Sequence, residues 1–168
     1  MSKTIEIERK FLVETPEIPH NNIKRKLDII QTYLTKGENG SQRRVRKISE
    51  NSSNKFIYTE KIFYSPVIRK ETESEISGKK YNELLRQART DCSAVIKKRI
   101  CFDYLEQYFE LDIYPFSDTL AILELELDSP AQEIKFPEYI RIIKEVSSDS
   151  RYSNAALCTA GEFPTDAS

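Results

Sequence analysis

Residues 4–13, TIEIERKFLV, alternate apolar and charged side chains with period two: Ile5, Ile7 and Phe11 fall on one face, and Glu6, Glu8 and Lys10 on the other. Successive side chains of an extended chain point to opposite sides, so this pattern predicts a strand with one apolar and one ionic face. Pro16, Pro19, Asn21 and Asn22 interrupt it, and the spacing that follows predicts a short helix over residues 22–30. Further strands are predicted at residues 30–35, 42–48, 55–63, 67–76, 95–104, 108–114 and 120–127, joined mostly by short polar loops, as antiparallel meanders require. Residues 79–89 place Tyr81, Leu84, Leu85 and Ala88 on one face of a helix. A last helix is predicted over residues 152–159, with Asp149 or Ser150 near its start as a cap. These elements describe an α+β fold: an eight-stranded antiparallel sheet closed into a β-barrel, or tunnel, with a few flanking helices. No internal repeat or long linker divides residues 1–168, which read as a single domain.

The ionic faces recur in nearly every strand. Arg44 shares a face with Arg46, Thr59 with Lys61, and Arg69 with Glu71, Glu73 and Glu75. Lys97, Arg99 and Asp103 alternate with apolar residues; so do Glu110 with Asp112, and Glu124 with Glu126. A solvated outer sheet face would explain each strand taken singly. Segregation by sign argues against that, because exposed faces mix charges and like charges close together are unfavourable. Glu6 with Glu8, and Glu124 with Glu126, are paired carboxylates, whereas Arg44 and Arg46 are paired cations. A polyanion together with its counter-cations would reconcile them. Clustered carboxylates suit a hard divalent ion, Mg²⁺ or Mn²⁺; Arg and Lys suit phosphoryl oxygens.

Composition narrows the chemistry. The 168 residues carry 26 Lys plus Arg against 27 Asp plus Glu, and a net charge of −1 argues against a general nucleic-acid binder. Length and 39% hydrophobic content support one compact core. No run approaches the ~18 to 20 apolar residues of a membrane span, and residues 1–10 lack the apolar core of a secretion signal. A soluble, cytoplasmic protein without membrane attachment is expected, as a monomer or homodimer. His20 is the only histidine, in a stretch rich in Pro and Asn, which excludes a histidine metal cluster and disfavours a Ser/His/Asp triad. The four glycines form no phosphate-cradling motif. Cys92, Cys101 and Cys158 have no paired spacing and read as reduced structural thiols; Cys101 faces the barrel interior by parity, as a small filler.

Glu6-Ile7-Glu8-Arg9-Lys10, followed by Phe11-Leu12-Val13, resembles the Glu-x-Glu-x-Lys signature of the CYTH superfamily, the triphosphate tunnel metalloenzymes. Gln31-Thr32-Tyr33-Leu34, Arg44-Val45-Arg46, Thr59-Glu60-Lys61, Arg69-x-Glu71-x-Glu73, Lys97-x-Arg99, Glu110-Leu111-Asp112, Glu124-Leu125-Glu126-Leu127 and the tail from Glu145 to Asn154 resemble family blocks in the family's order, across residues 4–158. The resemblance implies hydrolysis of inorganic tripolyphosphate or a related triphosphate with a divalent metal inside the barrel. It implies Glu6, Glu8, Glu124 and Glu126 as metal ligands, with Glu71 and Glu73 as further candidates. Lys10, Arg44, Arg46, Lys61, Arg69, Lys97 and Arg99 would grip phosphate oxygens, and Glu6, Glu8 and Lys10 would form the catalytic signature.

Other positions stay divided. Glu110 and Asp112 fit the tunnel or a structural salt bridge equally; Glu60, Glu75 and Lys98 read as rim or solvated residues. Arg151 and Tyr152 match the family tail, and a helix start beside Asp149 explains them too. Phe109 and Tyr139 stand where simple bacterial members often carry Trp, and Leu123 replaces a small residue, departures that bear on packing and substrate choice. A class IV adenylate cyclase, a thiamine triphosphatase and a non-catalytic polyphosphate-binding module are the rival readings.

Overall fold

The computed structural model describes residues 2–166. Its strands are β1 (Ser2–Glu14), β2 (Ile23–Tyr33), β3 (Gln42–Glu50), β4 (Ser53–Phe63), β5 (Ile68–Ile76), β6 (Val95–Tyr104), β7 (Gln107–Ile113), β8 (Leu120–Leu127) and β9 (Ile142–Glu145); its α-helices are α1 (Gly78–Leu85) and α2 (Asn154–Ala160). The strands are hydrogen-bonded in the order β5-β4-β3-β2-β6-β7-β8-β1, and β1 closes the ring by pairing with β5. The result is a closed eight-stranded antiparallel barrel, an α+β fold with a tunnel-like interior. Strand β1 does the closing because it is long. Ile7 to Glu14 pair with β8, and Ser2 to Ile7 pair on the other edge with β5. Where β5 leaves that edge, β9 takes it over at Phe11 to Val13.

Residues 23–29 correct the sequence reading: instead of a helix they form the first part of β2, preceded only by a short helical turn at His20–Asn22. Ile23, Leu27 and Ile30 have helical spacing, but Leu27, Ile29, Gln31 and Tyr33 also alternate. Strands β3 and β6 claim both edges of this segment, so cross-strand pairing overrides local preference. Helix α1 ends at Leu85 rather than residue 89, and Ser77 caps it by accepting from the Lys80 amide at 3.1 Å. The predicted last helix is divided. Asp149 caps a helical turn at Ser150–Tyr152, while Ser153 caps α2 by accepting from the Ala156 amide. Strand β9 was not anticipated.

Apolar residues occupy both sides of the wall. Outside, Phe11, Phe102, Phe109, Leu123 and Leu125 pack beneath Phe136, Tyr139 and Ile140, with the Phe102 and Phe109 rings stacked 5.2 Å apart. Phe109, Tyr139 and Leu123 therefore shape outer packing and leave the lumen alone. Another outer cluster puts Tyr81 and Leu84 of α1 on Leu34 and Val45. Inside, Leu12, Tyr33, Val95, Tyr114 and Ile122 meet Tyr152, Leu157 and Phe163 of the tail. Further along the same strands Leu27, Ile29 and Cys101 form a second apolar layer, with Ile48 against it. Each large side chain so buried contributes about 1.5–3 kcal/mol. The interior band between these two layers is ionic.

Candidate active site

Strand register assembles the ionic band from strands of opposite charge. Glu6 lies opposite Arg69, Lys10 opposite Glu124, and Lys61 opposite Glu71. Sign segregation along each strand thus becomes charge pairing between strands. Glu8 opposite Glu126 and Glu110 opposite Glu124 are like-charge exceptions; Arg69 lies beside the first pair and Arg99 pairs with both members of the second. The Arg69 guanidinium donates to Glu6 at 2.6 Å, to Glu8 at 3.0 Å and to Glu71 at 3.0 Å. Lys61 Nζ stands 3.1 Å from Glu71, Arg46 2.7 Å from Glu73, and Lys10 Nζ 3.4 Å from Glu124.

These groups line one cavity of about 200 Å³. Of the residues expected at the site, Glu6, Glu8, Lys10, Arg44, Arg46, Lys61, Arg69, Glu71, Glu73, Arg99, Glu124 and Glu126 all line it. Lys97 does not. It lies behind the lining at 2% exposure, with Nζ 2.7 Å from an Asp112 carboxylate that is itself fully buried and also takes two hydrogen bonds from Arg99. Parity places Lys97 and Arg99 on the same face, but depth along the barrel separates them. Glu110 lines the cavity and pairs with Arg99, so the two residues left divided by sequence part company: Glu110 faces the lumen and Asp112 is an internal counter-ion. Lys98 and Glu75 are exposed, and Glu60 bonds to Ser41 and Tyr58, away from the cavity. Arg151 pairs with Asp149 and Asp166, and Tyr152 belongs to the apolar tail.

A contiguous chamber of about 350 Å³ shares Glu8, Lys10, Arg44, Lys61 and Arg69 with the first, and is also walled by Tyr33, Phe63, Pro66 and the serine-rich segment after β9. Asn154 borders both chambers and accepts from the Tyr114 hydroxyl at 2.6 Å. Asn154 was legible only as part of the tail block, with no role attached.

The electrostatics divide the carboxylates into two sets. Burial would raise Glu71, but Lys61, Arg44 and Arg69 outweigh it and hold its pKa well below the usual carboxylate range. Lys10 and Arg99 do the same for the buried Glu124. In contrast, burial and then Glu71 push Glu6 up to about 7. Burial also raises Glu126, with Glu8 and Glu71 adding to it, and Glu110 is raised by burial against Arg99. Among the cations, burial and the neighbouring Arg44 and Arg69 bring Lys61 down to about 7, and burial brings Lys97 to about 8. Raised carboxylates mark places where negative charge exceeds the cations supplied by the chain. Two phosphate-type donors are likewise left over: Nε of Arg44 and Nε of Arg46 are buried with no hydrogen-bond partner.

Among the described residues no three carboxylate, Cys or His side chains converge on a point as a metal site. Arg69, set between Glu6, Glu8 and Glu71, takes that position. The donor chemistry of Glu6, Glu8 and Glu126 nevertheless fits a hard divalent ion, since all are oxygen ligands and two have raised pKa values.

No family model matches the chain, and no curated protein matches it. Solved structures do. The inorganic triphosphatase NE1496 is 28% identical, with 92% of this chain and 94% of that chain covered, at a TM-score of 0.57. PH1819 from Pyrococcus horikoshii OT3 shares 20% identity over 74% of this chain and 80% of its own, at a TM-score of 0.54. A conserved hypothetical protein from Pyrococcus furiosus shares 19% over 74% and 81%, at 0.53. Closed antiparallel wall, apolar layers and a lumen of matched carboxylates and cations define a tunnel barrel. In its fold and in the lining of its lumen the chain resembles the CYTH, or triphosphate tunnel, superfamily.

Proposed function

We propose that this protein hydrolyses inorganic tripolyphosphate or a related triphosphate, cleaving a phosphoanhydride bond in the tunnel with Mg²⁺ or Mn²⁺. The observation that carries this reading is the convergence of Lys10, Arg44, Arg46, Lys61, Arg69 and Arg99, with Glu6, Glu8 and Glu126, on one enclosed cavity of about 200 Å³. Tetrahedral phosphoryl groups offer oxygens on several sides at once and suit cations that converge from several strands. Lys10, Arg44, Arg46, Lys61, Arg69 and Arg99 would grip the chain of phosphates, fixing the scissile phosphorus by charge and hydrogen bonding. Glu6, Glu8 and Glu126 would hold the cation, while Glu71 and Glu124, already saturated by lysine and arginine, set the positions of those cations. A bound divalent ion supplies charge neutralisation and a water of lowered pKa. The apolar layers on either side exclude bulk water, which strengthens every charged contact between them.

A second reading, an organic triphosphate, is favoured by the outer chamber. Tyr33, Phe63 and Pro66 stand beside Lys10, Arg44 and Lys61, where a ring attached to a bound triphosphate would lie.

Phosphate release from tripolyphosphate, pyrophosphate, ATP and thiamine triphosphate, each with Mg²⁺, Mn²⁺ or chelator, tests both. Tripolyphosphate is expected to be the best substrate, with release abolished by chelator. Release from none of them, or release indifferent to chelator, would overturn the proposal; cyclic nucleotide formation from ATP would assign a cyclase.

A further inference from the structure

Cys92 and Cys158 lie far apart in sequence, and the fold brings them together. Cys92 is in the loop between α1 and β6, and Cys158 is in α2. Cys92 packs against the apolar cluster that contains Cys158, and its neighbour Ser93 lines one surface crevice with Cys158. Cys92 is also close enough to act on the Cys158 thiol, raising it together with burial. Cys158 Sγ donates to the Ala155 carbonyl at 3.1 Å, which ties the thiol proton to the helix and leaves the sulfur lone pairs unengaged. Both are free thiols in the structure.

We propose that Cys92 and Cys158 are a redox pair that closes reversibly into a disulfide under hydrogen peroxide. Cys92 is half-buried and Cys158 is 8% exposed, so the oxidant meets Cys92 first. Burial and the adjoining Cys92 also push Cys158 up to about 12, which disfavours it as the first nucleophile. The Cys92 thiolate attacks one peroxide oxygen; the O–O bond breaks, giving a sulfenic acid and, with one proton, water. The Cys158 sulfur then attacks the Cys92 sulfur, the S–O bond breaks, and the leaving hydroxyl takes the Cys158 proton as a second water. Two thiols give up two electrons and two protons, and peroxide is reduced to two waters. A dithiol reductant reverses the bond by exchange.

The bond would fasten α2 to the loop that leads into β6. Helix α2 begins at Asn154, which borders both chambers, so one wall of the cavity is stapled to the barrel. Closing a long loop also restricts the unfolded chain, which raises stability. Cys101 sits in a different cluster, with Leu27 and Ile29, and is a bystander.

Treating the full chain with a small excess of hydrogen peroxide, then titrating thiols after denaturation, tests this. Free thiols should fall from three to one, with a peptide map joining Cys92 to Cys158 within one chain. The melting midpoint should rise by about 4–10 °C and return with dithiothreitol. Cys101→Ser should lose two thiols in the same way, whereas Cys92→Ser should show no rise in midpoint. Three surviving thiols, a cross-link through Cys101 or between chains, or an unlinked sulfinic acid at Cys92 would overturn the proposal.

Discussion

Glu6 and Glu71 accept from the same Arg69 guanidinium, at 2.6 and 3.0 Å, and the fold drives their acidities apart: Glu6 is raised to about 7 while Glu71 is held well below the usual range. Glu71 is ionised by its ring of cations, and burial beside that charge keeps a proton on Glu6. Because the folded-state pKa of Glu6 lies above its unfolded value, the stabilisation is fully present below about 4.5 and is lost as pH rises through about 7. Glu6→Gln, which stays neutral, should therefore match the wild type at pH 4.5 and exceed it at pH 8 by about 1–2 kcal/mol, after allowance for the partly open position. Denaturant titrations at the two pH values measure this. The same variant should lower metal-dependent phosphate release by about 100-fold or more, so stability and activity should move in opposite directions.

Lys97 and Arg99 share a face and a partner, yet only Arg99 reaches the cavity. Lys97→Met removes a cation while Asp112 keeps its two hydrogen bonds from Arg99. Asp112→Asn instead leaves Lys97 and Arg99 without their shared counter-ion in the interior. We expect Asp112→Asn to cost about 3–5 kcal/mol and Lys97→Met distinctly less. Tripolyphosphate affinity of folded Lys97→Met should stay within about threefold of wild type, whereas Arg46→Ala should weaken it by about tenfold or more. Equal losses of affinity in the two variants would place Lys97 among the phosphate ligands after all.

Phe63 is 55% exposed at the end of β4 and walls the outer chamber beside Pro66. An aromatic ring stacked on a bound ring contributes about 1–3 kcal/mol, whereas inorganic tripolyphosphate has no ring to stack. Phe63→Ala should leave kcat/KM for tripolyphosphate unchanged within about twofold. If organic triphosphates use the outer chamber, the value for ATP or thiamine triphosphate should fall by about fivefold or more.

The ionic lumen was legible from sequence because β geometry forces alternation: once Glu6, Glu8 and Lys10 share a face, so do their partners on every other strand. What parity cannot supply is depth along the strand, and so Lys97 could not be told from Arg99. Nor does it say which strands are neighbours; the pairing of Glu6 with Arg69 joins residues 63 positions apart. Residues 23–29 were misread because Ile23, Leu27 and Ile30 satisfy a helical period as well as Leu27, Ile29 and Gln31 satisfy an extended one, and only the two flanking strands decide. Strand β9 is four residues long and largely exposed, too short for a pattern to stand out. Asn154 and the serines after β9 enter the site through a loop, where no periodicity marks direction. The meeting of Cys92 with Cys158 likewise depends on how α2 docks.

Lys61 connects the site's charge to proton uptake. Burial, with Arg44 and Arg69 close by, brings its pKa down to about 7, despite Glu71 at 3.1 Å. At pH 8 most of the free protein therefore carries a neutral Lys61. A polyphosphate in the lumen adds negative charge beside it and restores the ammonium form, so binding should draw a proton from solution. With a non-hydrolysed state kept by chelator, calorimetric titration of tripolyphosphate in buffers of different ionisation enthalpy should show uptake of close to one proton at pH 8. Below about pH 6, where Lys61 is already charged, its share of the uptake should vanish. In Lys61→Arg the cation persists at every pH, and the uptake at pH 8 should fall by most of that proton while binding is retained. Undiminished uptake in Lys61→Arg would assign the proton to another group.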